Sequence, residues 1–134
     1  MIKRHVVSAA PPPPIGVTYA HASEAGGWLY VTGQLPTDPL APAAAFAEGI
    51  EAQAEQTLRN LVTIVEAAGF ELSDTVFARV YLAEFDRDYD GFNRVFYRFF
   101  TGEAAAVSRT TVGVARLGRG ALVEIDLTLK RSDR

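Results

Sequence analysis

No cysteine occurs in the 134 residues, which excludes disulfides, thiolate metal sites and a cysteine nucleophile. Histidine is nearly as scarce, and His5 and His21 lack the partner spacing of a zinc site, so no metal is expected. No apolar run approaches the ~18 residues that a membrane-spanning helix needs. The opening Met1-Ile2-Lys3-Arg4-His5-Val6-Val7-Ser8 has two basic side chains but no apolar stretch. It makes a poor signal peptide, and a cytoplasmic location is the expectation. An excess of positive charge is also missing: the net charge of -3 offers no general attraction to nucleic acid. Neither a Gly-x-Ser-x-Gly elbow nor a glycine-rich phosphate loop appears, and Gly118-Arg119-Gly120 reads as turn chemistry.

What is present suits one folded domain with a real core: 49% of residues are hydrophobic and 22% charged. Ala9-Ala10-Pro11-Pro12-Pro13-Pro14 predicts an extended polyproline arm, so residues 1–13 are expected to precede a domain spanning 14–134. Ile15 to Ala22 and Trp28 to Gly33 read as two strands of a hairpin, turning at Ala25-Gly26-Gly27. In the second, Leu29 and Val31 oppose Trp28, Tyr30 and Thr32. Leu35 to Ala45 is a proline- and alanine-rich loop of a length that often flanks a binding site. From about Phe46 to Ala68, apolar residues recur at helical spacing, and Gly69 is placed to end that helix. Thr75 to Leu82 is strand-like, and a second helix, about Asp88 to Phe100, carries Phe92, Val95, Phe96 and Phe99 as its stripe.

Two further strands are expected near the C-terminus, Arg109 to Ala115 and Leu122 to Leu129, joined as a hairpin through Leu117-Gly118-Arg119-Gly120. Val112 and Val114 share one side of the first, opposite Arg109, Thr111 and Gly113. Val123, Ile125, Leu127 and Leu129 share one side of the second, opposite Glu124, Asp126 and Thr128. Making the apolar sets coincide puts Arg109, Thr111 and Glu124 together on the other face. The resulting order, β-β-α-β-α-β-β, predicts an α+β layer sandwich with helices on one side of the sheet. Its bare face, mixing aromatics with charges, is expected to pack against copies of itself in a ring with polar pockets at the seams.

Arg109 offers a fork matched to a carboxylate, unless it serves as a structural ion pair with Glu124 or Asp126. Glu124 can hold a water and move protons, or make an ordinary cross-strand pair. Asp86-Arg87-Asp88-Tyr89-Asp90-Gly91 imitates the opening of a calcium loop. The twelfth position, which must be a bidentate glutamate, is Tyr97, so the acids are assigned to the helix N-terminus instead. Asn93 lies beside the second helix's stripe and by itself reads as a surface amide.

Several ordered motifs resemble the YjgF/RidA family of 2-imino acid and enamine deaminases, from about Pro14 to Lys130. They are Pro14-Ile15-Gly16 with Tyr19, Thr32-Gly33-Gln34-Leu35-Pro36, Val62-x-x-Val65-Glu66-Ala67-Ala68-Gly69, Phe92-Asn93, Ser108-Arg109-Thr110-Thr111-Val112-x-Val114-Ala115-Arg116-Leu117 and Val123-Glu124-Ile125. The resemblance implies a chorismate-mutase-like fold, a mixed sheet under two helices, assembled as a homotrimer with clefts between subunits. It implies cofactor-free hydrolysis of 2-imino acids to 2-keto acids and ammonia. Arg109 matches the arginine that grips the substrate carboxylate and Glu124 the glutamate associated with water. Tyr19, Thr32, Gly33 and Asn93 match pocket positions, and Thr111 stands where the family often has cysteine. Tyr19 is displaced by one residue from the usual Gly-Pro-Tyr run, and Val107 replaces a frequent proline. The resemblance leaves open a carboxylate-binding trimer without turnover, or a deaminase dedicated to one aminoacrylate- or aminomuconate-like intermediate. Neither nucleic acid nor membrane is an expected partner.

Overall fold

A computed structural model describes residues 1–132; the last two positions of the expected domain, Asp133 and Arg134, lie outside the described residues. Six strands form one sheet: β1 (Lys3–His5), β2 (Ala22–Ala25), β3 (Trp28–Gln34), β4 (Thr75–Leu82), β5 (Ser108–Gly113) and β6 (Val123–Lys130). Their spatial order is β1-β2-β3-β6-β4-β5, antiparallel except for the parallel pair β4–β5. Two helices, α1 (Ile50–Ala67) and α2 (Phe85–Phe99), complete an α+β fold with a mixed sheet. Among the described residues no helix is long and apolar enough to cross a membrane.

Burial follows the alternation. Leu29, Val31, Ala78, Val80, Ile125 and Leu127 are buried together with Leu58, Leu61, Ile64 and Val65 of α1 and Phe92, Val95 and Phe96 of α2. The helix ends have local causes. Gly49, at φ 87°, precedes α1 and starts it later than the Phe46 expected from spacing. Gly69, at φ 83°, ends it: the amides of Gly69 and Phe70 donate to Glu66 and Val65 carbonyls, the paired bonds of a Schellman turn. Where α1 and α2 approach, a Cβ on Gly91 would lie 2.8 Å from Ile50 Cγ2. Buried polar side chains on α1 pin the long loop: Asn60 Nδ2 donates to the carbonyls of Leu35 (3.1 Å) and Thr37 (2.8 Å).

The N-terminal expectations are corrected. Ile15 to Ala22 is not a strand; β2 begins only at Ala22. Gly16 has φ 84° and residues 15–19 are exposed, so the first part of this run has no face to bury. Within the segment expected as an extended arm, Lys3–His5 forms β1, which pairs with β2. Buried His21 fastens this segment, accepting from the Val7 amide at Nδ1 (3.0 Å) and contacting the Pro11 carbonyl through Nε2 (2.7 Å). A carbonyl only accepts, so Nε2 carries the proton.

The terminal hairpin is also corrected. β5 and β6 do not pair, because β6 inserts between β3 and β4. Its four buried positions, Val123, Ile125, Leu127 and Leu129, find apolar neighbours on both sides there, whereas β5 offers few. The β4–α2–β5 crossover makes β5 a parallel edge strand, as a helical connection requires. Residues 86–97, the imitation calcium loop, lie inside α2, whose N-cap is Glu84 without a side-chain cap bond. Asp86, Asp88 and Asp90 therefore do not cap it; Asp88 is buried and held by Arg87 Nε at 2.9 Å.

Gly69→Ala tests the helix end. The nearest atom to an added Cβ is 3.8 Å away, so the cost is conformational alone, about 1–2 kcal/mol. Urea denaturation is expected to show that loss with an unchanged slope; undiminished stability would contradict the left-handed turn.

Candidate functional site

β5 places Arg109 opposite Ala78 and Thr111 opposite Val80, both buried under the helices. Directly opposed residues share a face, so Arg109 and Thr111 lie on the helix-covered side, at the sheet edge. There the guanidinium meets the apolar stripe of α2. Its Cζ is 4.7 Å from the Phe96 ring centroid, 5.4 Å from Phe92, 5.8 Å from Tyr97 and 5.9 Å from Tyr89. The rings offer cation–π attraction. Nε donates to Thr111 Oγ1 (2.8 Å) and Nη2 to Asn93 Oδ1 (2.7 Å). Nη1 is buried and has no hydrogen-bond partner among the described residues. An unsatisfied buried donor costs roughly 1–3 kcal/mol, more when charged.

Glu124 lies on the other side. It opposes Tyr81 across β4 and β6, on the face that no helix covers. Beside it β3 bulges between Val31 and Gln34, and Gly33 sits so close that a Cβ would collide with the Glu124 carboxylate. Thr32, in the same bulge, donates from Oγ1 to the Ala20 carbonyl (2.7 Å), next to Tyr19 in the irregular segment before β2. Glu124 is half-buried and accepts no hydrogen bond among the described residues. Burial pushes its carboxyl above the usual carboxylate range, and the negative charge of Asp126 adds to the rise.

The expectation that Arg109, Thr111 and Glu124 share one face is therefore overturned. Val112, expected in the core, is 39% exposed on the bare face instead. Strand β4 separates β5 from β6, which places their backbones about 10 Å apart, and their side chains leave opposite surfaces. Neither Glu124 nor Asp126 pairs with Arg109; Asp126 is held by Arg79 Nε (2.9 Å) and Tyr81 Oη (3.1 Å). The named residues divide into two groups. Arg109, Thr111 and Asn93 meet at the edge under α2, and Thr32, Gly33 and Glu124 meet at the β3 bulge with Tyr19 nearby in sequence.

Sequence reasoning missed two features. Phe92 and Phe96, two of the rings around Arg109, read only as part of a core stripe, and Tyr89 and Tyr97, whose hydroxyls signal a polar neighbour, were not connected with Arg109. Arg79 and Tyr81 alternate with Ala78 and Val80 along β4, a visible signal that the bare face carries a charge opposite Asp126.

The family model described as Endoribonuclease L-PSP matches residues 9–130, and the chain belongs to this family, the YjgF/RidA family. A RutC family protein of Saccharolobus solfataricus is 35% identical over 131 residues, spanning 98% of this chain and 100% of its own. The 2-iminobutanoate/2-iminopropanoate deaminase of Salmonella typhimurium is 36% identical over 109 residues, 81% of this chain and 83% of its own. Among solved structures, E. coli TdcF with bound serine matches with a TM-score of 0.86 at 28% identity, over 97% of this chain and 99% of its own.

The raised Glu124 carboxyl gives a stability test. A glutamate with folded pKa above its unfolded ~4.3 costs nothing while protonated in both states. Its ionisation weakens the fold as pH climbs through the folded value. Glu124→Gln is thus expected to melt higher than wild type near neutral pH, with the gap closing below about pH 4. A gap that widens in acid would reverse the assignment.

Proposed function

We propose that this protein hydrolyses 2-imino acids and their enamine tautomers to 2-keto acids and ammonia, at seams between the protomers of a homotrimer. The observation that carries this reading is Arg109 Nη1, a buried cationic donor without an acceptor among the described residues. A substrate carboxylate supplies that acceptor, in charge-assisted hydrogen bonds that are stronger than neutral ones. Asn93 and Thr111 hold the other two guanidinium nitrogens, so the fork is oriented before the ligand arrives. Tyr97, 47% exposed, is the ring most able to turn and admit it.

The two groups of residues belong to opposite sides of one sheet, so they can act on one small molecule only if they come from two protomers. The bare face supports such a seam. It carries Trp28, Tyr30, Phe77 and Tyr81 among its charges, with Tyr30 51% exposed, a mixture suited to a partner surface rather than to water. The relative from Salmonella typhimurium is named for imine deamination, and the E. coli structure holds serine, which shares the α-carboxylate of an imino acid.

In the proposed reaction Arg109 of one protomer fixes the carboxylate, and Glu124 of the next accepts a proton from water as it adds to the imine carbon. The tetrahedral adduct bears hydroxyl and amino groups on that carbon. With the imine protonated on nitrogen at the outset, Glu124 returns the water's proton to the amino group, takes up the hydroxyl proton as the C–N bond breaks and the carbonyl forms, and passes it to the departing ammonia as ammonium. No redox step is involved, and every atom of water ends in the keto oxygen or on nitrogen. Ribonucleolytic activity, suggested by the family model's description, has less support here: the chain is net acidic, and Arg79 is already paired with Asp126.

Proton transfer by a placed group is worth roughly 10²–10⁴-fold. Glu124→Gln is expected to lower kcat by that factor on imines generated in situ, while affinity for a 2-keto acid stays within a few-fold. Arg109→Ala is expected to lose both. Co-expressing the two inactive variants should restore about a quarter of wild-type activity, the share of seams pairing an intact arginine with an intact glutamate. Light scattering showing a stable monomer, or no recovery on mixing, would overturn the composite site. Unchanged ammonia release by Arg109→Ala would overturn the reaction.

A further inference from the structure

The strongest charge arrangement outside the two half-sites is on the bare face, immediately beside Glu124. Asp126 follows two positions later on β6, so it leaves the sheet on the same side. Arg79 on β4 opposes Asp126, and Tyr81 opposes Glu124. Asp126 is the point of convergence: Arg79 Nε donates to Oδ1 (2.9 Å) and Tyr81 Oη to Oδ2 (3.1 Å). Its side chain is only 17% exposed, while that of Arg79 is 57% exposed. The acid is therefore shielded from solvent more than the base that neutralises it.

Nothing in this cluster bonds to Glu124 itself. β3 contributes Thr32 and Gly33 at the bulge, neither of which titrates. Asp126, Tyr81 and, one step further, Arg79 are the ionisable groups that face Glu124 from the two strands it lies on and against. Asp126 acts on it by charge through space, and Arg79 acts on it only by cancelling that charge. The Tyr81 hydroxyl, spent on Asp126, is not donated to Glu124.

We propose that the Arg79–Asp126 pair is a positioning device that fixes how readily Glu124 holds and releases a proton. Removing the acid makes Glu124 ionise more easily. Removing the base exposes Glu124 to an uncancelled negative neighbour, and it then ionises less easily. The two members of one ion pair thus have opposite effects, which no purely structural role would produce. The direction of the Glu124 shift, with Asp126 raising it after burial, agrees with this arrangement. This inference rests on the reading that Glu124 handles the proton in imine hydrolysis.

The test follows the acid limb of kcat/KM for imine hydrolysis in wild type, Asp126→Asn, Arg79→Gln and Arg79→Lys. It also follows the infrared band of the protonated Glu124 carboxyl, assigned by its loss in Glu124→Gln. The expected result moves limb and band together, by roughly half a pH unit or more for a charge this close. The shift is to lower pH in Asp126→Asn and to higher pH in Arg79→Gln, with Arg79→Lys near wild type. A Glu124 band unmoved in both charge-removing variants, or moved the same way in both, overturns the proposal. If the band behaves as expected but no limb in activity depends on Glu124, the electrostatic inference stands and the reading of the reaction fails.

Discussion

Strand β4 lies between Arg109 and Glu124, and a side chain leaves a strand on one side only. Every functional consequence follows from that constraint. Arg109 sits on an edge strand over the core side, where α2 roofs it with aromatic rings, and Glu124 sits on a central strand facing away from both helices. A single protomer carries the two groups of residues on opposite surfaces of its sheet. The sheet is too well buried on its helix side, with Val80, Ile125 and Leu127 nearly sealed, for either residue to cross to the other.

Each half is energetically incomplete in a complementary way. The edge holds a cation whose position is settled by Thr111 and Asn93 and whose remaining nitrogen lacks an acceptor among the described residues. The bare face holds a carboxyl without a hydrogen bond among the described residues, kept from easy ionisation by burial. Such arrangements cost folding free energy and persist where function uses them. Gly33 shows the same compromise in shape: a larger residue there would occupy the space of the Glu124 carboxylate.

Much of the fold was legible because burial imposes periodicity. The bounds of β4, the stripe of α1 and the turn at Gly69 follow from spacing and from one glycine. The alternation of β3 and β6 also read correctly, since each carries an unbroken apolar set. What spacing does not encode is which strands are neighbours. On its Val112 side β5 bears no other apolar residue within its observed span, and the assumption that valine faces the core fails on an edge strand. There the core side ends in an aromatic roof able to take a guanidinium. The same limitation hid β1, whose contacts with β2, Arg4 to Ser23 and His5 to Glu24, no pattern in Lys3–His5 announces.

The site residues were legible by motif and misplaced by geometry: Arg109, Thr111 and Asn93 do converge, and Glu124 lies on the opposite face of the sheet. A crystal structure of the assembled protein soaked with a 2-keto acid such as pyruvate addresses this directly. The ligand carboxylate is expected on Arg109 of one protomer, with Glu124 of its neighbour within hydrogen-bonding reach of the keto carbon's oxygen or an intervening water. A ligand held by Arg109 with no second protomer's Glu124 near it would contradict the account.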